Sequence, residues 1–172
     1  MPFFIRPAVP ADLDAVRRIY NDGIVDRHTL EAREKSACEI AAWFGNHDDR
    51  YSVLIAADEV ATVGWASLNR YSPREAHRGI ADLSIYVDRS ARRLGVGVAL
   101  LAAIEDRARR AGFDKIVLMT FPFNHASRAL FGRNGFREIG IYQNQGRLDG
   151  RLVATLAMEK LLELPGIHAG VR

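Results

Sequence analysis

The stretch from Ser84 to Ala111 constrains the fold more than any other part of this chain. Ser84-Ile85-Tyr86-Val87 ends an alternating segment that begins at Ala81, with Leu83, Ile85 and Val87 on one face, and reads as a strand. It runs into the basic loop Arg92-Arg93-Leu94-Gly95-Val96-Gly97. Val98 to Ala111 then reads as a helix, with Leu100, Leu101, Ile104 and Ala108 as its apolar stripe and Gly112 as its stop. A strand that feeds such a helix belongs in a layered α/β sheet, because the helix must bury its stripe on the sheet it has left. The same junction suits an anion. The first N–H groups of a helix lack partners and lie at its positive dipole end. Glycine lets a phosphate approach that backbone, and Arg92 and Arg93 add charge.

On spacing alone, three readings compete. A P-loop needs Gly-Lys-Ser/Thr, which is missing. A dinucleotide fingerprint needs a third glycine where Leu100 stands, and an acid at the end of the next strand, which is also missing. An ordinary strand-to-helix turn with solvated arginines is the third, and the motif by itself leaves it standing.

The flanking sequence supplies the other layers. Phe3 to Arg6 reads as a strand, and Ala11 to Asn21 as a helix with Leu13, Val16, Ile19 and Tyr20 on one face. Ser36-Ala37-Cys38-Glu39 is a capping-box pattern before Ile40, Trp43 and Phe44, with Gly45 as the stop. Tyr51–Ala57 and Ala61–Leu68 read as strands about a turn at Asp58-Glu59, and Lys115–Phe121 as a buried strand. Ala126–Asn134 reads as a short helix ended by Gly135. Glu138–Asn144 and Leu152–Leu161 read as strands across an Asp149-Gly150 turn. The expected fold class is a single-domain α/β protein over residues 1–163, with a mixed, mostly antiparallel sheet of about seven strands and about four helices. Residues 164–172, with Pro165, Gly166 and Gly170, read as a frayed tail.

Composition removes several classes. At 172 residues the chain is long enough for one full core. Its single cysteine, Cys38, excludes an internal disulfide framework and a four-cysteine zinc site. His28, His47, His77, His125 and His168 show no metal-ligand spacing, so no metal is expected. A net charge of +3 gives no extended basic face for nucleic acid. Residues 89–110 nevertheless carry six arginines against two acids, so the basicity collects at the glycine loop. No apolar run reaches the ~20 residues of a membrane span, and Met1 to Arg6 carries no signal-peptide pattern. A cytoplasmic protein is expected.

With its context, Arg92-x-x-Gly95-x-Gly97 after Ser84–Val87 resembles motif A of the GNAT superfamily of N-acetyltransferases. Asn124-x-x-Ser127-x-x-Leu130-Phe131-x-x-x-Gly135-Phe136 resembles that family's second coenzyme-side segment. The order of elements is similar from Ile5-Arg6 to Leu161. Three stretches resemble the branch that contains the phosphinothricin, methionine sulfoximine and arsinothricin acetyltransferases: Ile19–Ile24, Gly64-Trp65-Ala66-Ser67, and Gly140-Ile141-Tyr142 through Gly146–Arg151.

The resemblance implies an acetyl-CoA-dependent N-acetyltransferase for a small amino-acid-like amine, by direct attack in a ternary complex, and a homodimer. Ile85, Tyr86 and Val87 would line the acetyl and pantetheine arm, with the N–H at the strand's end polarising the thioester carbonyl. Arg92, Arg93, Leu94, Gly95, Val96, Gly97 and Val98 would cradle the pyrophosphate. Asn124 would bind the pantetheine arm beside Ser127, and Asn124 also suits a helix N-cap. Asp82 stands where the branch has a base glutamate. Being one methylene shorter, it would act through water; an exposed strand carboxylate is the competing view. Phe131 stands where relatives carry Tyr or His, so no dedicated general acid is expected. Arg33, Tyr71 and Arg74 match acceptor-side positions, where arginine forks suit an anionic acceptor. After Arg151 the chain departs from the branch with Leu152-Val153-Ala154. The departures at Asp82 and Phe131 also leave room for a non-catalytic acyl-CoA-binding sensor on the same fold.

Overall fold

Seven strands form one sheet in the order β1-β2-β3-β4-β5-β7-β6. They are β1 (Phe4–Pro7), β2 (Val53–Ala57), β3 (Thr62–Arg70), β4 (Ile80–Val87), β5 (Lys115–Thr120), β6 (Arg137–Leu148) and β7 (Arg151–Leu161). The helices are α1 (Leu13–Val25), α2 (Ala37–Gly45), α3 (Val96–Arg110) and α4 (His125–Arg133). This computed structural model describes residues 2–162, and the tail expected at 164–172 lies outside them. The expected mixed α/β sheet with four helices is what the described residues form. Every neighbouring pair of strands is antiparallel except β4 and β5, which α3 connects in parallel.

Two cores follow from the two faces of the sheet. Leu100, Leu101, Ile104 and Ala108 of α3 pack with Leu83, Ile116 and Leu118, and Phe131 of α4 joins them. On the opposite face Val16 and Ile19 of α1 and Ile40 of α2 meet Ile55 and Trp65. The period-2 alternation of β4 therefore sorts its side chains: Leu83, Ile85 and Val87 toward α3, and Tyr86 toward α1 and α2. Asp82 and Ser84 share the Tyr86 face.

Several boundaries differ from the sequence expectation. Helix α3 begins at Val96, because left-handed Gly95 (φ 86°) turns the chain and Val96 is already buried. Gly97 thus lies in the first turn. Helix α1 runs on through Gly23 to Val25. A glycine inside a helix costs about 1 kcal/mol against alanine, but here a Cβ would sit 2.9 Å from the Tyr86 ring. The missing side chain is what lets α1 lie close on β4. Strand β6 continues past Asn144, whose φ of 54° marks an irregularity between Tyr142 and Gly146, and resumes to Leu148. The Asp149-Gly150 turn has positive φ at both residues, as a two-residue hairpin of this kind requires. The capping box of α2 is present, with Glu39 N donating to Ser36 Oγ (3.2 Å) and Ser36 N donating to Glu39 Oε2 (2.9 Å).

Candidate active site

The site begins where the parallel pair ends. Strands β4 and β5 are in register only at Ile80↔Lys115, Ala81↔Ile116 and Asp82↔Val117. Beyond Asp82 they part. Strand β3 still pairs with β4 as far as Val87, so the β5 side of Leu83–Val87 keeps unspent backbone donors and acceptors. A cavity of about 620 Å3 occupies the gap. Ile85, Tyr86 and Val87 form one wall, Leu118, Met119 and Thr120 the other. Its far end reaches the glycine loop at one side and Asn124 and Ser127 of α4 at the other.

The loop is shaped by backbone conformation and by ion pairs. Arg93 (φ 64°) and Gly95 (φ 86°) are both left-handed, and the N-terminus of α3 follows at once. A Cβ on Gly95 would touch nothing within 4 Å, and one on Gly97 would meet only Leu130 and Val87 at ordinary distance. The floor is therefore open to a phosphate, at an end of a helix that favours negative charge. Arg92 Nη2 pairs with Asp26 Oδ2 at 2.8 Å, and Arg89 pairs with Asp22 (3.1 Å) and Asp26 (2.8 Å). Arg89 and then Arg92 hold the Asp26 carboxyl down at about 2. Arg18 binds Asp88. Arg89 and Arg92 of the loop are thus answered by Asp22 of α1 and by Asp26 just beyond its end. Among the described residues Arg93 lines the cavity without an ion-pair partner. The sequence marked the arginines but not Asp22 and Asp26, which lie some 60 residues earlier in the chain.

A second cavity of about 280 Å3 lies on the α1/α2 face. Tyr20, Trp43 and Trp65 line it, with Glu31, Lys35 and Glu39. Trp65 is at the centre of an aromatic cluster: its ring lies 4.9 Å from Tyr86, stacked, 5.4 Å from Trp43 and 5.9 Å from Tyr20. Ser84 lines both cavities. The two spaces therefore meet at β4.

Asp82 sits two residues before Ser84 on the same face of β4. Burial pushes its carboxyl up to about 6, and the neighbouring Asn69 amide opposes that rise. The exposed-carboxylate view is overturned: the residue is part-buried. Asn69 Nδ2 donates to the Asp82 carbonyl and to Ser84 Oγ, both at 3.2 Å. Its Oδ1 accepts from Ser67 Oγ at 3.2 Å and lies 3.1 Å from His47 Nε2. Asp82 itself lines neither cavity.

The other anticipated residues are distributed as follows. Asn124 caps α4, with Ser127 N donating to its Oδ1 at 3.1 Å, and both residues line the large cavity. Val98 lines it as well, whereas Leu94 is exposed and Val96 is buried in the core, so only their backbone can serve the loop. Arg33 is held by Glu39 through two bonds of 2.7 and 3.0 Å and lines neither cavity. Tyr71 and Arg74 stand on the loop between β3 and β4, beyond the Arg70↔Ala81 pair, and Tyr71 leans on His77 at 5.4 Å. Phe131 is buried against Phe136 and presents a hydrocarbon ring to the large cavity. His28, an exposed residue, contributes to the wall of that cavity, where desolvation and then nearby Arg92 lower its pKa. Loop 26–36 is tied to the tip of the β6–β7 hairpin by Arg27–Asp149 (2.7 Å), and Leu30 lies against Gly146. Among the described residues no group of three His, Cys, Asp or Glu side chains could hold a metal, and no helix is long and apolar enough to cross a membrane.

Comparison with known proteins adds to this geometry. The profile of the acetyltransferase (GNAT) family matches residues 13–136. An L-methionine sulfoximine/L-methionine sulfone acetyltransferase of Pseudomonas aeruginosa is 34% identical over 164 residues, covering 92% of this chain and 94% of its own. The crystal structure of a phosphinothricin acetyltransferase from Sinorhizobium meliloti in complex with AcCoA superposes with a TM-score of 0.89 at 30% identity, covering 98% of this chain and 93% of its own. A ribosomal-protein-alanine N-acetyltransferase from Brucella melitensis gives a TM-score of 0.89 at 34% identity, over 92% of this chain and 99% of its own.

Proposed function

The chain belongs to the acetyltransferase (GNAT) family, and from that premise we propose that it acetylates the amine of a small amino-acid-like acceptor by direct attack in a ternary complex. Acetyl-CoA is the donor. The observation that carries the proposal is the meeting of the two cavities at Ser84: a donor and an acceptor approach one point of β4 from opposite faces. The acceptor class is supported by relatives whose names specify methionine sulfoximine, methionine sulfone and phosphinothricin.

The residues take the following roles. The α3 N-terminus, Gly95, Gly97 and Arg93 receive the pyrophosphate, with Arg92 positioned by Asp26. The free β5-side edge of Ile85, Tyr86 and Val87 pairs with the extended pantetheine arm, and Asn124 and Ser127 flank it. Bound there, acetyl-CoA supplies an activated thioester. The N–H at the end of β4 stabilises negative charge on the thioester oxygen as it develops. Asp82 takes the proton of the amine through a bridging water, a task suited to a carboxyl raised to about 6. Phe131 offers no proton to the departing thiolate, which leaves unaided or is protonated by water. Arg74, exposed and without an ion pair among the described residues, receives the acceptor's carboxylate beside Tyr71. Arg33 acts through Glu39 at the rim of the second cavity.

A homodimer is part of the same reading. Strand β6 is an edge of the sheet, exposed from Arg137 through Gln145, with Ile139, Ile141 and Tyr142 each about half exposed. An apolar edge of this length is ordinarily covered. Sedimentation at micromolar protein should return twice the 19.2 kDa chain mass, and a mass of one chain would remove the dimer from the proposal.

Release of free CoA thiol, followed over a panel of methionine sulfoximine, methionine sulfone, phosphinothricin and an alanine-terminated peptide, tests the activity. Release that depends on an amino acid and persists at catalytic turnover is the expected result. Binding of acetyl-CoA with no release for any acceptor would favour the sensor reading that Phe131 motivates.

A further inference from the structure

We infer that the second cavity selects acceptors with an uncharged side chain and disfavours those with an anionic one; the inference rests on the acetyltransferase reading above. The argument is a count of charges and their partners. Lys35 is the single cation on the cavity's wall, and it is already bound to Glu31 at 2.6 Å. Its backbone is fixed as well, since Asn21, buried in α1, accepts from Lys35 N at 2.8 Å and donates to Lys35 O at 3.0 Å. The wall's other carboxylate, Glu39, is engaged by Arg33 and by Ser36. An anionic side chain entering here meets two carboxylates and no free cation. To capture Lys35 it must displace Glu31, and the stranded Glu31 carboxylate then faces the ligand's own charge.

The rest of the wall suits a neutral group. Tyr20, Trp43 and Trp65 offer aromatic faces, and Ile40 an aliphatic one. Ser84, also on the wall, carries an uncharged hydroxyl donor for a neutral oxygen. Methionine sulfone fits this description, having two uncharged oxygens on an otherwise apolar chain. Phosphinothricin carries a phosphinate charge on a side chain of similar length.

The chain contains two tryptophans, Trp43 and Trp65, and both line this cavity. Intrinsic tryptophan emission is therefore a direct report on its occupancy. With CoA bound, methionine sulfone should change the emission saturably, and phosphinothricin should need at least tenfold more ligand. In the thiol-release assay kcat/KM for the sulfone should exceed that for phosphinothricin at least tenfold. Glu31→Gln, by freeing Lys35, should narrow that ratio at least fivefold, and Glu31→Asp should preserve it. Equal or better use of phosphinothricin by the wild-type protein overturns the inference and leaves the acetyltransferase reading intact. Turnover of the sulfone with unchanged tryptophan emission does the same, because the acceptor then binds elsewhere. No thiol release with any acceptor removes both.

Discussion

The two faces of β4 present contrasting kinds of site. On the α3 side the cavity is bounded by an unpaired strand edge, two left-handed loop residues and a helix N-terminus. Its chemistry is that of peptide groups, which any side-chain sequence can supply provided the chain turns correctly. On the α1/α2 side the cavity consists of side chains from both helices, the loop between them and the sheet. Backbone sites hold what is common to all substrates, and side-chain sites hold what varies. The coenzyme end should therefore yield to changes of backbone geometry, and the acceptor end to changes of charge.

Five substitutions probe that division. The largest effect belongs to Asp82→Asn. Steady-state kcat/KM should fall on the order of 10²-fold, the typical contribution of a general base. The wild-type profile should rise with pH through about 6 and then level, and the variant should lose that limb. An unchanged profile would take the base role from Asp82. Stability moves the other way. A carboxyl whose pKa rises from 3.8 to about 6 on folding costs stability as pH increases across that window. Asp82→Asn should thus be the more stable protein above pH 6 in urea melts.

Gly95→Ala comes next. It forces a Cβ into left-handed backbone at a cost of about 1–2 kcal/mol, although the space around it is empty. Urea unfolding should show that loss, and acetyl-CoA affinity measured by calorimetry should fall with it. A loss of affinity without a loss of stability would mean that the methyl blocks the phosphate directly.

Arg93→Ala should weaken acetyl-CoA binding about fivefold to tenfold, a contribution near 1 kcal/mol for one charge-assisted contact. Arg92→Ala should weaken it less, because Asp26 already engages that guanidinium. The reverse order would show that the coenzyme displaces Asp26. The smallest change is expected of Arg33→Ala, within about twofold in acceptor KM, since an exposed ion pair contributes little. A larger effect would bring Arg33 into direct contact with the acceptor.

The same contrast explains what could be read before the fold was known. The junction from Ser84 to Gly97 was legible because its requirements are local: a period-2 strand, glycines and arginines within fourteen residues. The Ser36–Glu39 cap and the Asp149-Gly150 turn were legible for the same reason. The aromatic cavity was not, because Tyr20, Trp43 and Trp65 belong to three elements whose meeting depends on how the helices lie on the sheet. Ser84 could have been marked from alternation alone, as it shares a face with Asp82 and Tyr86. Asp26 could not, since nothing near it in sequence indicates that Arg89 and Arg92 will fold back onto it. Arg33 shows the converse: its charge suggested an anionic acceptor, and the fold pairs it with Glu39, six residues on.

The brief pairing of β4 with β5 also bears on how the molecule assembles. Strands β1 to β4 and β5 to β7 are two antiparallel sets. Only three residue pairs join them, across a crossover that must first form α3. Parallel pairing at long sequence separation is slow because the loop must close before contacts repay it. The seam between β4 and β5, beside the proposed coenzyme site, is thus the step expected to close last in folding, and the amides of its paired residues, Ile80–Asp82 and Lys115–Val117, should be the last of the central strands to gain protection in a pulse-labelled refolding experiment.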